Sequence, residues 1–368
     1  MRQLILFVAL ALAVAQAPRF RPVFSSGPKP IGPYSPGLWA GDRLYVSGQG
    51  ARSADGQLPR TPEAQIRQTL DNVKAIVEAA GLTMDHVVFS HTYLADLRHY
   101  ELLNQVWAEY FPVHRPARAT VGVAAMPGGT PFEINAVAVR DRIGLKPIQL
   151  PGSTSPVPLS PALQTSDRVY VSGILGRDAA AGSIPEALPA QVETAFSRLK
   201  GVLAAAGLEL RHMIHLNIST TSAMPDETVS AALRQHLPNR DNLAISATRV
   251  AALPFGANIA LHGVAMRTLA PRQHHGNCVS AGTTVYCGQF TSDDYRTALI
   301  GLNGLLQKFT PAPTIVASGV YLDELREFAA MNKVYTEVMG PPLPTRTTLQ
   351  PDASGQSARF RISVVAER

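Results

Sequence analysis

The sequence is poor in the features that mark several large classes of protein. It has 2 cysteines in 368 residues, too few for a disulfide-rich scaffold. It has no Cys/His cluster with zinc spacing and no basic run of about 5–8 residues that would mark a nucleic-acid patch. After the N-terminus, no segment approaches the roughly 20 apolar residues of a membrane span. We therefore expect no bound metal, no nucleic-acid partner and no membrane anchor in the mature chain.

What the sequence contains is typical of a globular protein with a large core. Hydrophobic residues make up 46% and charged residues 16%, which excludes a disordered chain. The length allows two or three domains. The net charge of +6 could attract an acidic partner, but without a basic cluster we interpret it as the mild basicity of an exported protein.

The first residues have the pattern of a secretory signal. Arg2 precedes an apolar run at residues 4–14, and Ala13-Val14-Ala15 fits a small-x-small cleavage site. We predict that residues 1–15 are a cleaved signal peptide and that the protein is periplasmic or secreted. The alternative is a buried N-terminal helix.

Three internal repeats organise the rest of the chain. The segment GDRLYVSG at 41–48 recurs as SDRVYVSG at 166–173 and, more weakly, as GTTVYCG at 282–288. Later segments repeat too: VAAMP at 123–127 returns as VAALP at 250–254, and FEINAVA at 132–138 returns as FRISVVA at 360–366. We define unit 1 as residues 24–140, unit 2 as 147–267 and unit 3 as 273–368.

Unit 1 has the clearest pattern of helices and strands. Apolar alternation predicts a hairpin around Gly41-Asp42. A helix is predicted to start at Thr61-Pro62 and to end at Gly81. A strand, a second helix and two further strands follow, so the predicted order is ββαβαββ and the class is α+β. Such a unit covers one sheet face with helices. Three units packed with sheets inward and helices outward, around a pseudo-threefold axis, would bury the other face.

Four motifs in unit 1 carry a family resemblance: IGPYSPG at 31–37, VSGQ at 46–49, LDNVKAIVEAAGL at 70–82 and RPAR at 115–118. Together they closely resemble the reactive-intermediate deaminase family, RidA or YjgF, also known as L-PSP endoribonuclease. The resemblance implies a chorismate-mutase-like fold and homotrimers with ligand clefts between subunits. Because this chain carries three units, we expect an intramolecular pseudo-trimer and a monomeric protein.

The resemblance also implies a site. Arg118 corresponds to the arginine that binds a substrate carboxylate, and Glu133 to the acid that positions water. The other implied cleft residues are Tyr34, Ser47, Gly48 and Asn104.

These residue types suit the implied chemistry. A guanidinium can hold a carboxylate through two parallel hydrogen bonds. An imine carbon is already electrophilic, so its hydrolysis needs an oriented water and a proton-handling carboxylate, and we expect no cofactor. The alternative for Arg118 and Glu133 is a cross-strand ion pair that only holds the sheet together.

The other units change this set. Unit 3 has Arg346 and Asn332 at the positions of Arg118 and Asn104, whereas unit 2 has Ile245 at the arginine position. At the Glu133 position the copies have Ala260 and Arg361. We interpret unit 2 as scaffold. The two arginines of unit 3 indicate either a site for a more anionic ligand or a degenerate site.

Unit 1 alone has the complete set. Because the resemblance implies clefts between units, the sequence leaves open whether Arg118 and Glu133 line the same cleft.

Cys278 and Cys287 flank the Gly282-Thr283 turn symmetrically. In an antiparallel hairpin they would lie directly opposite each other, and we predict a cross-strand disulfide after export. The alternative is two buried free thiols.

Three functions follow from these residues. The first is an exported deaminase that hydrolyses reactive enamine and imine intermediates of amino acids to 2-oxo acids and ammonia. The second is a non-catalytic binding protein for small carboxylates, which needs the arginine but not the glutamate. The third, an endoribonuclease, lacks support from a histidine pair or a lysine-rich groove. The expected partner is a small carboxylate-bearing substrate.

Overall fold

The structure is a computed structural model that describes residues 19–150, 157–178, 182–352 and 359–368. The predicted signal peptide, residues 1–15, lies outside this part of the chain. Within it, no helix has both the length and the apolar character needed to cross a bilayer.

The described chain forms three six-stranded sheets, each with two long helices. Unit 1 contains β1 Phe20–Val23, β2 Gly37–Ala40, β3 Arg43–Gly50, α1 Pro62–Ala79, β4 Val87–Leu94, α2 Tyr100–Tyr110, β5 Ala117–Gly122 and β6 Phe132–Val139. Unit 2 contains β7 Lys146–Ile148, β8 Ala162–Gln164, β9 Arg168–Leu175, α3 Leu188–Ala205, β10 Met213–Thr220, α4 Asp226–His236, β11 Ala244–Arg249 and β12 Ile259–Met266. Unit 3 contains β13 His274–His275, β14 Cys278–Ala281, β15 Thr284–Ser292, α5 Tyr295–Leu306, β16 Thr314–Leu322, α6 Phe328–Val338, β17 Thr345–Leu349 and β18 Phe360–Glu367.

The three sheets share one topology. In unit 1 the strand order is β1-β2-β3-β6-β4-β5, and the other two sheets repeat it. Each unit therefore begins with an edge strand that the predicted ββαβαββ order lacks, and in units 1 and 2 this strand starts before the predicted bounds, at Phe20 and Lys146. These edge strands have 2 to 4 residues, too few to show an alternating apolar pattern.

The local signals in unit 1 act as expected. Gly41 adopts a left-handed φ of 62° in the turn between β2 and β3, a conformation that costs a glycine little. The side chain of Thr61 accepts a hydrogen bond from the amide of Ala64 at the start of α1, which satisfies one of the free amides of the first turn. The predicted hairpin and helix start are confirmed.

The sheets face inward and the helices outward. Each sheet packs against its own helices through one apolar cluster. A fourth cluster lies between the sheets and draws side chains from all three units, including Phe89, Tyr170 and Tyr286. The intramolecular pseudo-trimer is therefore confirmed.

A buried ionic contact also ties the three units together. Arg43 of unit 1 lies 2.7 Å from Asp167 of unit 2 and 3.2 Å from Glu367 of unit 3, measured between side-chain nitrogen and oxygen atoms. Arg43 and Glu367 are almost fully buried. Because breaking a buried pair leaves an uncompensated charge, this contact favours one arrangement of the units.

Unit 3 contains the disulfide. Cys278 and Cys287 are directly opposed in the β14–β15 hairpin, and their sulfur atoms are bonded with the Cα atoms 4.0 Å apart. The bond lies within the apolar cluster of unit 3.

Candidate functional site

Arg118 and Glu133 lie on opposite faces of the unit 1 sheet. On β5, Ala117 and Ala119 point into the cluster between the sheets, so Arg118 points to the helix side. On β6, Ile134 packs against the helices, so Glu133 points inward. Side chains alternate along a strand, and both the shared site and the cross-strand ion pair considered from the sequence are therefore wrong.

Arg118 is enclosed at the interface of units 1 and 2. It is 1% exposed, and its guanidinium donates to Asn104 Oδ1. The guanidinium carbon lies 4.9 Å from the ring centre of Trp107 and 5.8 Å from that of Tyr100. Its backbone amide donates to Ser172 Oγ of unit 2 at 2.9 Å.

No acid of unit 2 faces this arginine from the position equivalent to Glu133. Glu133 pairs with Gly50 across β3 and β6, and in unit 2 the equivalent pair is Leu175 with Ala260. This interface has the arginine and the asparagine but no acid at the Glu133 position; its nearby carboxylate is Glu101 of α2, which accepts from Asn104 Nδ2 at 3.4 Å.

Glu133 instead meets Arg346 of unit 3. The two residues line one cavity of about 380 Å³ between units 3 and 1. Tyr34 and Gly48 of unit 1 line it as well, beside Phe328 of unit 3. Arg346 of unit 3, and not Arg118, therefore lies in the same cavity as Glu133.

Arg346 is a buried cation held by aromatic rings. It is 3% exposed, and its guanidinium carbon lies 4.9–5.4 Å from the ring centres of Tyr34, Phe328 and Tyr335. It makes no ion pair with any carboxylate of the described residues, and its Nη2 has no hydrogen-bond partner there. Since a buried charge without a partner is costly, this side chain favours an anionic ligand.

Asn332 accompanies Arg346 as Asn104 accompanies Arg118. It occupies the fifth position of α6, as Asn104 does in α2. Its side-chain oxygen is buried and has no hydrogen-bond partner among the residues that the structure describes. The backbone of Gly32 passes so close that a Cβ there would clash with the Arg346 guanidinium. A glycine at position 32 lets the loop before Tyr34 cover the arginine without displacing the guanidinium.

Ser47 and Gly48 fix the other side of the cleft. Ser47 Oγ accepts from the amide of Arg346 at 2.8 Å and donates to the carbonyl of Ser35 at 2.7 Å. A Cβ on Gly48 would overlap the carboxyl group of Glu133. Ser47 thus sets the register of β17 against β3, and Gly48 provides the space that Glu133 occupies.

Burial controls the protonation of the acid. Desolvation raises the pKa of Glu133 from 4.5 to about 8, and the nearby charge of Arg346 lowers it only in part. The pKa of Tyr34 is also raised, again mainly by burial. At neutral pH Glu133 is therefore mostly a neutral carboxylic acid that can donate a proton.

The third interface, between units 2 and 3, has neither the arginine nor the acid at the equivalent positions. Ile245 replaces the arginine, and its amide donates to Asn277 Oδ1 at 3.1 Å. Arg361 replaces the acid and lies 3.1 Å from Asp323 Oδ1. Arg361 and Arg346 lie on opposite faces of the unit 3 sheet, because Phe360 and Ile362 face the helices while Arg346 itself contacts Met331 of α6. The shared anionic site considered for the two arginines is wrong.

Sequence reasoning missed three residues of the cleft: Phe328, Tyr335 and Thr348. They occupy the positions that Tyr100, Trp107 and Thr120 have in unit 1, so alignment of the units could have found them. As for metals, the described residues contain no group of three or more His, Cys, Asp or Glu side chains arranged to hold an ion.

Comparison with known proteins identifies the class. The model of the family described as Endoribonuclease L-PSP matches residues 24–140 and 153–267, more than half of the chain. The chain therefore belongs to this family, the RidA/YjgF family, and fuses three units of its fold.

Relatives match about one unit's length each. The 2-iminobutanoate/2-iminopropanoate deaminase of Escherichia coli K12 is 40% identical over 119 residues, 31% of this chain and 93% of the relative. A RutC family protein of Saccharolobus solfataricus is 42% identical over 113 residues, 30% of this chain and 90% of the relative. The crystal structure of the Escherichia coli YjgF gene product is 38% identical, covers 33% of this chain and 99% of its own, and has a TM-score of 0.32.

Proposed function

We propose that the protein hydrolyses reactive enamine and imine derivatives of amino acids to 2-oxo acids and ammonia, at one site between units 3 and 1. The observation that carries the proposal is that Arg346 and Glu133 line the same cavity, one as a buried unpaired cation and the other as a buried acid. The Escherichia coli relative is named as a deaminase of such imines, which supports the same chemistry.

Arg346 binds the substrate carboxylate and fixes the imine carbon relative to Glu133. The orienting bonds are charge-assisted and lie in a buried site, where they are stronger than in water. The aromatic rings around Arg346 hold the guanidinium in place before substrate arrives, so little of the binding energy is spent on ordering it.

Glu133 moves the protons. Its neutral carboxyl group protonates the imine nitrogen, and water adds to the carbon while the resulting carboxylate takes one water proton. The product is a carbinolamine. Glu133 then protonates the amino nitrogen, and ammonia leaves while the Glu133 carboxylate takes the hydroxyl proton, so that the C=O bond of the 2-oxo acid forms and Glu133 is neutral again. One water is consumed and one ammonia is released.

Ammonia release from freshly generated 2-iminobutyrate tests the proposal, with two matched arginine variants. Arg346→Ala removes the carboxylate anchor, and we expect a loss of at least about a hundredfold in kcat/KM, the size of a lost charge-assisted contact in a buried site. Arg118→Ala removes the equivalent arginine of the interface that has Ala260 at the Glu133 position, and we expect activity near that of the native protein. Activity lost in Arg118→Ala and kept in Arg346→Ala would overturn the site assignment.

Binding of small carboxylates without catalysis is the second candidate. It is favoured because Arg346 has no ion-pair partner within the described ranges, and such a guanidinium would attract a carboxylate whether or not Glu133 reacts. Glu133→Gln separates the two functions. An enzyme loses turnover and keeps affinity for 2-oxobutyrate measured by calorimetry, whereas native protein that binds 2-oxobutyrate but does not accelerate imine hydrolysis would be a binder.

We also propose that the protein is exported as a monomeric pseudo-trimer. The signal-like N-terminus and the Cys278–Cys287 bond support export, because disulfides persist in oxidising compartments. N-terminal sequencing of the protein from a periplasmic or culture fraction should start after residue 15, and light scattering should give the mass of one chain.

A further inference from the structure

Thr348 of β17 has a buried hydroxyl group. The residue is 4% exposed, and its Oγ1 has no hydrogen-bond partner in the described part of the chain. A buried hydroxyl without a partner costs free energy. Valine has nearly the same shape and would avoid that cost.

The reason for the missing partner appears when the units are compared. In unit 1 the equivalent residue, Thr120, lies opposite Thr92, and the two hydroxyl oxygens are 2.6 Å apart. In unit 3 the residue opposite Thr348 is Val320. The interface that has Ala260 at the Glu133 position therefore has a paired hydroxyl, whereas at the interface with Glu133 the equivalent hydroxyl has no partner among the described residues.

Thr348 belongs to the lining of the candidate site. Thr348 is two residues after Arg346, on the same side of β17, and both line the cavity with Glu133. Thr348 thus forms part of the wall of the cavity where the reacting water must be held.

Resting on the proposed function, we propose that Thr348 Oγ1 holds the attacking water against Glu133. A water that adds to an imine carbon directs one lone pair at the carbon. One of its O–H groups donates to the Glu133 carboxylate, and Thr348 Oγ1 accepts the other. No bond to Thr348 forms or breaks. Two acceptors fix the orientation of the water, whereas a water held by one acceptor is free to rotate.

Steady-state ammonia release by Thr348→Val, Thr348→Ser and Thr120→Val tests this role. Thr348→Val should lower kcat about tenfold to thirtyfold, the effect of one lost hydrogen bond in the transition state, with little change in KM because Arg346 still binds the carboxylate. Thr348→Ser keeps the hydroxyl and should restore most of kcat. Thr120→Val removes the matched hydroxyl of unit 1 and should leave kcat unchanged.

The outcomes separate this role from the proposed function. Native protein that accelerates hydrolysis, together with an equally fast Thr348→Val, overturns the role of Thr348 and leaves the deaminase intact. Equal losses in Thr348→Val and Thr348→Ser would indicate packing and also overturn it. Native protein without activity removes both. A lower thermal midpoint in Thr348→Val with unchanged kcat would assign the hydroxyl to stability alone.

Discussion

The burial of Glu133 makes the stability of the protein sensitive to pH between about 4.5 and 8. In the folded protein the pKa of Glu133 is about 8, against 4.5 for an exposed glutamate. Between these values the folded chain binds a proton that the unfolded chain has lost, so the free energy of unfolding falls as pH rises. The contribution of neutral Glu133 is complete below about 4.5 and is lost by about pH 8, a difference of roughly 5 kcal/mol.

Glu133→Gln isolates this effect because glutamine has the same size and never ionises. From pH 6 to 9, the free energy of unfolding of native protein should fall by roughly 3 kcal/mol, and that of the variant should not. About two of these pH units lie below the folded pKa of Glu133, and each contributes about 1.36 kcal/mol. Equilibrium urea unfolding at pH 6, 7, 8 and 9 measures the difference. The variant should therefore be more stable than native protein at pH 9 while being inactive.

Glu78→Gln is the matched control. Its side chain lies on the exposed surface of α1, 3.8 Å from Lys74, and its removal should leave the pH dependence of unfolding as in native protein. If Glu133→Gln and native protein lose stability in parallel from pH 6 to 9, then Glu133 is ionised in the folded state. The proton-donor role proposed for it would then be wrong.

Two further predictions concern the scaffold. Replacing Cys278 and Cys287 with alanine opens a loop with a sequence separation of 9, which should cost about 2.5 kcal/mol in urea unfolding by chain entropy; no change on treating native protein with reductant would contradict this. His91, whose Nε2 lies 2.7 Å from Nε2 of His262, has a pKa lowered from 6.5 to about 4 by burial, so stability should fall as pH drops from 6.5 towards 4. His91→Asn should flatten that fall, because Asn217 already occupies the equivalent position of unit 2; an equally steep fall in the variant would place the effect elsewhere.

Much of the fold was readable from local patterns. The repeats, the turn at Gly41 and the helix start at Thr61 depend on neighbouring residues in the chain, and the structure has each of them. The opposition of Cys278 and Cys287 followed from their symmetry about one turn. The short edge strands were missed because two to four residues carry no periodic signal.

The composition of the site was also readable, one position at a time. The sequence alone determined that Glu133 occurs in one unit, that Arg118 and Arg346 are equivalent, and that unit 2 has neither. Only the tertiary structure decided which arginine meets the acid. Side-chain alternation places Arg118 and Glu133 on opposite faces of one sheet, and the packing of β17 against β3 brings Arg346 to Glu133 across 213 positions of sequence. That pairing is set by the way whole units pack around the axis, which no local pattern records.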